Sequence, residues 1–469
     1  MRLGPSRPRR GACAMLLVLL LAVGCDGGGA ADGKSGTPGA DQAGDIVLAS
    51  GRDVTGKGGI RQQLIEEWND EQKRKGSDRR ARLVELPGSA DRQRSQLLGA
   101  LQSGGAEYDV VNLDVTWVPE FAAAGLVQPL PDGLVDDDVI PSVAATARWA
   151  DKLYAVPFNS DVGLLFYRRD YLKGVGITNT ELGKDTAWSV VQQLIGALDG
   201  AKKKPDAYEK GWTAQLDASY EGLTVNGIEA FASAAGPLSL TDKEGRYAGS
   251  VDDLKAGLDE LRSRTQAAYT LPDAVHSDEA ATLTDFSAGR TAFLRHWPYA
   301  YRTLHQSLSE EQLAVAPLPG RAVLGGQNLA VAARSRRSTG AQDLIRFLTS
   351  RMSERCLLDA GFAATRKSAY EDDNLTCEAA KPPGQATASP TGERTDRMPR
   401  DAQGRPAYAR GTLLPALEKA VQRPRTPLYG AFTQTFTAQL ARLQGTKPPS
   451  DLQLAEDLHK ALRRALPPE

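Results

Sequence analysis

Between residues 45 and 117 three short apolar runs alternate with two amphipathic ones, and this alternation constrains the fold more than any other feature of the chain. "DIVLAS" reads as a strand. "GIRQQLIEEWNDEQKRK" sets Ile60, Leu64 and Trp68 one helical turn apart, the mark of an amphipathic helix. "ARLVELPG" is a second strand, and "DRQRSQLLGALQSG" a second helix that stops at a glycine. "YDVVNLDVTW" is a third strand, almost wholly apolar until Asp114. Strand–helix–strand units of this kind build an α/β fold with a mostly parallel sheet and helices on both faces. Ligands of such sheets gather at the carboxyl ends of the strands, where Asp114 stands. Asp114 can equally cap the next helix, "VPEFAAAG".

At 469 residues and 41% hydrophobic content the chain can build more than one domain. A later unit, "GGQNLAVAARSRRSTGAQDLIRFLTSRMSE", reads as glycine, strand, polar turn and helix. Ser338 or Thr339 is expected to cap that helix, with Ala341, Leu344, Ile345 and Leu348 as its buried stripe. "PSDLQLAEDLHKALRRAL" reads as a closing helix with a Ser450…Gln453 capping box. Residues 380–406 are rich in Pro, Gly, Thr and charge without a period, and read as a mobile surface loop. In "DKLYAVPFNSDVGLLFYRRDYL", two apolar strands, 153–158 and 162–167, flank the small polar residues Asn159, Ser160 and Asp161. With 57 Lys+Arg against 58 Asp+Glu, no basic excess points to a nucleic-acid partner.

The N-terminus has the form of a targeting segment. "MRLGPSRPRR" is a basic region, "AMLLVLLLAV" a short apolar one, and "AVGC" closes it. The combination resembles a bacterial lipobox, with Ala22 where leucine is commoner. It predicts a signal peptide over residues 1–24, lipidation of Cys25, a flexible tether over residues 25–45 and a place on the extracytoplasmic face of the bacterial cell membrane. An ordinary cleaved signal or a short anchor helix is the alternative. If Cys25 is lipidated, Cys13 is discarded, and Cys356 and Cys377 remain as a pair in an oxidising compartment. A disulfide is then expected, two free thiols being the other reading.

Six stretches, in order along almost the whole mature chain, resemble the extracellular solute-binding proteins, family 1, of ABC sugar importers. They are "YDVVNLDVTWVPEFAAAGLVQPL", "DKLYAVPFNSDVGLLFYRRDYL", "YEGLTVNGIEAFASAAG", "AFLRHWPYAYR", "LGGQNLAVAARSRRSTGAQDLIRFL" and "RPRTPLYGAFTQTF". The maltose/trehalose-binding type is most similar, through "YEGLTVN" and "WPYAY". The resemblance implies a two-lobe, periplasmic-binding-protein-like (type II) fold with the ligand in the cleft between the lobes. Residues 46–157 with 326–366 would form lobe 1, and residues 158–325 with 367–469 lobe 2. Asn159–Asp161 would then lie at the crossover, facing the cleft.

A sugar presents hydroxyls and apolar C–H faces, which carboxylates, amides and aromatic rings recognise. Matched onto the family's motifs, the ligand-binding residues would be Asp114, Asn159, Asp161, Glu279, Trp297, Gly326, Gln327 and Arg423. Trp297 is the stacking candidate, a buried core tryptophan being the alternative. Arg423 would clamp hydroxyls, or pair with a carboxylate. Gln327 stands where the maltose/trehalose type often has an aromatic, which leaves the identity of the sugar open. The expected function is a non-enzymatic substrate-binding lipoprotein. It would act as a monomer, deliver a disaccharide such as trehalose or maltose to a permease, and carry no cofactor, metal or catalytic residue. The rival readings are a binding protein for a glycerophosphodiester or peptide, and a surface-anchored carbohydrate-active enzyme. The four histidines fall in no metal-ligand spacing, and no GxSxG elbow or P-loop occurs.

Overall fold

The computed structural model describes residues 41–53, 59–104, 108–234, 239–377 and 396–466. The signal segment and Cys25 lie outside the described residues. The strands are β1 Ile46–Gly51, β2 Ala81–Leu86, β3 Val110–Asp114, β4 Arg148–Trp149, β5 Lys152–Leu153, β6 Val156–Val162, β7 Leu164–Arg168, β8 Lys210–Thr213, β9 Thr291–His296, β10 Leu313–Pro317 and β11 Leu324–Val331. Two sheets carry the fold. The first has the order β2-β1-β3-β11-β6, the second β10-β7-β9-β8.

The opening alternation builds the start of the first sheet. Helix α1, Ile60–Arg74, buries Leu64, Ile65 and Trp68, and helix α2, Ala90–Ser103, buries Leu97 and Leu101. Crossovers through these helices make β1 parallel to both β2 and β3. The sheet is not mostly parallel, however. β11 runs antiparallel to β3 and to β6, because both strands enter from the polypeptide that passes to and from the second sheet. That second sheet is mixed too, with β7 antiparallel to β9 and β10, and β8 parallel to β9. Its core unites Phe166 and Leu294 with Leu358, Tyr370 and Leu413 from the C-terminal part of the chain.

Asn159–Asp161 do not form a turn between strands. β6 runs unbroken through them, with Asn159 opposite Gln327 and Ser160 opposite Gly326. The chain leaves the first sheet two residues later, at Gly163, so the passage into the second lobe falls there rather than at residue 158. The return is complete by Leu324, where β11 begins, rather than at residue 326. A side chain at Gly163 would meet Glu229 Oε1 at 2.2 Å, so only glycine fits this passage.

The helix Ser338–Leu348 buries Ala341, Leu344, Ile345 and Leu348 as its pattern predicts, but neither Ser338 nor Thr339 caps it. Asp41 does so from outside the helix, accepting from Thr339 N at 3.0 Å and Gly340 N at 2.7 Å. The described end of the expected tether is therefore docked, and Gln42 N donates to Arg336 O. Residues 378–395 lie outside the described residues. The rest of the expected loop is packed: Met398 is buried, and fully buried Arg405 donates to Asp401, Asp373 and Tyr370 O at 2.6–2.7 Å. A composition rich in charge reads as solvated, but here the charges neutralise one another. The closing helix Asp451–Ala465 starts as read, with Ser450 Oγ accepting from Gln453 N.

Cys356 and Cys377 are joined in a disulfide, with Cα atoms 4.8 Å apart. Closing a loop of this size contributes about 3 kcal/mol on the chain-entropy account. Two residues before Cys356, Glu354 is fully buried. Its Oε2 accepts from Thr365 N at 2.6 Å, while Oε1 has no partner. Burial first, and the negative charge of Asp138 after it, push this carboxyl up from 4.5 to about 8, against the opposing hydrogen bonds and Arg366. The folded chain thus holds the proton more tightly than the unfolded one. The stabilisation is complete below the unfolded value and is lost as pH rises towards 8. Glu354→Gln is expected to flatten the fall in thermal midpoint over that window and to raise the midpoint at its alkaline end. A pH–midpoint profile parallel to the parent's would count against this.

Candidate ligand cleft

Two strand connections join the two sheets, the passage at Gly163 and the run from β10 to β11. The second is tied to residue 421, with Leu324 N donating to Val421 O at 2.7 Å and Val421 N to Ala322 O at 2.9 Å. The candidate residues gather where these segments meet the ends of β3, β6 and β11.

Sequence reasoning missed the organiser of the first-lobe side, Arg61. Its Nη1 donates to Ser50 Oγ at 3.0 Å and Gly51 O at 3.1 Å. Its Nη2 donates to Asn159 Oδ1 at 3.1 Å and Gln327 Oε1 at 2.9 Å. Asn112 Nδ2 supports the same Gln327 oxygen at 2.8 Å. The rings of Phe158 and Phe362 lie 5.8 and 5.3 Å from the guanidinium. Burial lowers the Arg61 pKa, and the charges of Asp53, Asp161 and Glu85 oppose that shift. The side-chain oxygens of Asn159 and Gln327 are thus already engaged by protein. The sequence did carry a signal: Arg61 lies on the buried face of α1 with Leu64, Ile65 and Trp68, where an unpaired cation could not remain.

Arg423 pairs with carboxylates from both lobes. Its Nη2 lies 3.0 Å from Asp114 Oδ1, at the end of β3, and its Nη1 lies 2.8 Å from Glu221 Oε2. Glu221 immediately precedes the helix Gly222–Ala234 of the second lobe, and it also accepts from the Tyr429 hydroxyl at 3.1 Å. Burial pushes Glu221 up, Arg423 pulls it back, and Asp114 and Asp91 add to the rise. Asp114 further closes a local turn, accepting from Thr116 N at 2.9 Å and Thr116 Oγ1 at 2.7 Å; the residue that caps the next helix is Trp117.

Trp297, Glu279 and Asp161 form the part of the cleft left for a ligand. The Arg295 guanidinium covers one face of the Trp297 ring at 3.8 Å, so stacking on a ligand is confined to the other face. Trp297 Nε1 points to Glu279 Oε1 at 3.4 Å. Glu279 opens the helix Glu279–Ser287, behind the N-cap Asp278, and burial raises its pKa. Asp161 and Trp297 flank Gly325, where an added Cβ would lie 3.1 Å from Asp161 Cβ and 3.2 Å from Trp297 Cζ3. Among the described residues Asp161 makes no hydrogen bond, and its pKa is pushed up to about 7. Burial is the main cause and Asp114 adds to it, while Arg61, Arg295 and Arg423 oppose. Gly326 brings no side chain. With φ at +110° and Asn159 O 2.4 Å from where a Cβ would stand, it lets β11 and β6 approach.

An α/β fold of two sheet-centred lobes, joined by crossing segments and meeting around carboxylates, amides and a tryptophan, is that of a solute-binding protein. The chain matches the bacterial extracellular solute-binding protein family over residues 54–354 and belongs to it. A relative from Deinococcus radiodurans, named a probable ABC transporter-binding protein, is 27% identical over 306 residues, covering 63% of this chain and 71% of its own. The fold is similar to that of maltose-bound MalE3 from T. maritima, with a TM-score of 0.67 and 23% identity over 90% of this chain and all of the other. It is also similar to that of UgpB from Mycobacterium tuberculosis in complex with glycerophosphocholine, with a TM-score of 0.66 and 19% identity over 90% of this chain and 98% of the other.

The Asp114–Arg423–Glu221 bridge predicts a change of shape. In Arg423→Gln the two carboxylates lose their shared cation and repel, and separating the lobes lets water reach both. Small-angle scattering near neutral pH is expected to show a larger radius of gyration than for the parent. The difference should shrink in acid, as Glu221, whose carboxyl burial pushes up, takes up a proton. Superimposable scattering curves would remove the bridge from any role in holding the lobes together.

Proposed function

We propose that the protein captures a carbohydrate, a disaccharide such as trehalose or maltose, outside the cell and delivers it unchanged to the permease of an ABC importer, while lipid on Cys25 holds it at the membrane. The observation that carries the reading is the meeting of the part-exposed Trp297 ring with the carboxylate of Asp161, which has no partner among the described residues, across Gly325. A ring for the C–H face beside a charged acceptor for hydroxyls is what sugar recognition requires. In this reading Trp297, Asp161 and Glu279 touch the sugar. Arg61 holds Asn159 and Gln327 in place behind it, and Asp114 with Arg423 joins the lobes around it. The maltose named with MalE3 and the transporter named with the Deinococcus relative support it.

A phosphodiester such as the glycerophosphocholine of UgpB is the rival ligand. A phosphate needs a cation free to meet it, and two arginines of this cleft are paired with carboxylates: Arg295 with Glu229, and Arg423 with Asp114 and Glu221. A neutral polyol suits the site better.

A thermal-shift panel of mono- and disaccharides with glycerophosphocholine tests this, since a solute that binds only the folded chain raises its midpoint. A saccharide is expected to do so. Losing a hydrogen bond to a charged group costs about 1.5–3 kcal/mol, so Asp161→Asn should weaken that sugar roughly ten- to a hundredfold. Trp297→Ala should weaken it at least as much, through lost stacking and apolar area. Asp161 is the stronger acceptor when ionised, so affinity should fall as pH drops through about 7, and Asp161→Asn should remove that dependence. The sugar should be recovered chemically intact. A midpoint raised only by glycerophosphocholine, or catalytic turnover of the sugar, would overturn the proposal.

A further inference from the structure

A cavity of about 640 Å³ lies against residues 421–425, and Trp297, Glu279 and Asp161 are not among its walls. The first lobe contributes Arg148 and Trp149 from the β4–β5 hairpin. The second lobe contributes residues 239–243 and the Ile228–Ala232 flank of the helix Gly222–Ala234. Residues 421–425 close it, and Arg423 is the one residue it shares with the candidate ligand cleft.

The charges of these walls do not balance. Arg425 is largely enclosed, and among the described residues it has no carboxylate partner. Its Nη1 donates to Gln422 Oε1 at 3.2 Å and its Nη2 to Arg148 O, while its backbone N donates to Thr241 Oγ1 at 3.1 Å. Burial is the one cause acting on this guanidinium, and it pulls the pKa down to about 10. Two acids line the cavity. Asp242 is held by Arg246 at 2.7 Å, and Asp151 is exposed at the tip of the hairpin. Arg148 pairs with Asp132, and Lys243, exposed at the rim, lies 3.7 Å from Glu244; neither acid is a wall residue. Trp149 adds a half-buried aromatic surface.

A cation taken from water without a counter-charge is stabilised by any anion that reaches it. We propose that this cavity is a second binding site, for a small solute bearing an oxyanion, either phosphate or carboxylate, seated on Arg425 with its apolar part against Trp149. Both lobes wall the cavity, so its occupant favours one lobe arrangement and thereby alters affinity in the main cleft. By linkage, ligand in the main cleft alters affinity for the anion by the same factor.

The test titrates the full-length protein with inorganic phosphate and, separately, with citrate, at ionic strength fixed by chloride. No sugar is needed, so the result is independent of what the main cleft binds. The expected result is a saturable rise in thermal midpoint with phosphate or citrate beyond that in chloride; the more effective of the two identifies the source of the oxyanion. Arg425→Gln should weaken the response at least tenfold. Lys243→Gln, an exposed change that leaves the fold intact, should weaken it a few-fold and decides the matter if the first variant does not fold. Where a main-cleft ligand is in hand, its affinity should differ several-fold between the effective anion and chloride in the parent but not in Arg425→Gln. The proposal is overturned if neither anion saturates, or if folded Arg425→Gln or Lys243→Gln responds as the parent does.

Discussion

The buried ion pair between Arg295 and Glu229 is the interaction on which the rest of the cleft depends. The two side chains are 1% and 2% exposed and meet through two hydrogen bonds, of 2.6 and 3.0 Å. The same Glu229 oxygen that takes the shorter bond accepts from Val323 N at 3.1 Å, and it stands where a side chain at Gly163 would be. Gly163 N in turn donates to Val323 O at 3.3 Å. One carboxylate therefore fixes both strand connections between the sheets to the helix Gly222–Ala234. Its partner guanidinium covers Trp297 and orients the ring. Taking such a pair out of water costs several kcal/mol per ion, and it persists only where geometry is good and the remaining polar atoms are satisfied. The bond from Val323 N to Glu229 and that from Arg295 Nη1 to Gln215 Oε1 at 3.5 Å meet that condition.

The cleft assigns its charges unequally. Arg61 and Arg423 are each committed to several protein acceptors, so they act as scaffold. Asp161 is left without a partner among the described residues and lies close enough to neutrality for small changes in its surroundings to decide its charge. In the proposed function this division serves the binding and release of a solute. The scaffold needs no rearrangement on binding, and Asp161 supplies a differential interaction that favours the occupied state. In the proposed function, lobe closure follows the same logic. The one cation bridging Asp114 and Glu221 draws residues from both lobes together, and a solute that also touches both sides adds to that bridge.

Much of this architecture is legible in the chain itself. The 3.6 and 2.0 periodicities place the helices and strands of the first lobe, because a helix or strand with one apolar face has to bury it. The stripe Ala341, Leu344, Ile345 and Leu348 and the Ser450 cap are local patterns with local causes, and the structure shows both. The pairing of Cys356 with Cys377 is likewise the one the cysteine inventory leaves. The motif residues Asp114, Asp161, Glu279, Trp297 and Arg423 are identifiable too, since small motifs keep their chemistry whatever the distance between them.

What the sequence by itself determined is the material of each element and the stock of groups able to recognise a solute. Tertiary structure alone decided which of those groups remain free. Asn159 and Gln327 read as ligand-binding amides, and Arg61, 98 and 266 residues away in sequence, is what holds their oxygens. Asn159–Asp161 read as a polar break between two strands, but pairing with β11 and the partner offered by Arg61 keep them in one strand. Residues 396–406 read as solvated loop until Arg405 finds Asp401, Asp373 and a backbone carbonyl inside the fold. The reason is the same in each case. Backbone preference is set by near neighbours, whereas a polar side chain takes its role from whatever partner the fold brings within about 3 Å, and that partner is free to come from anywhere in the chain.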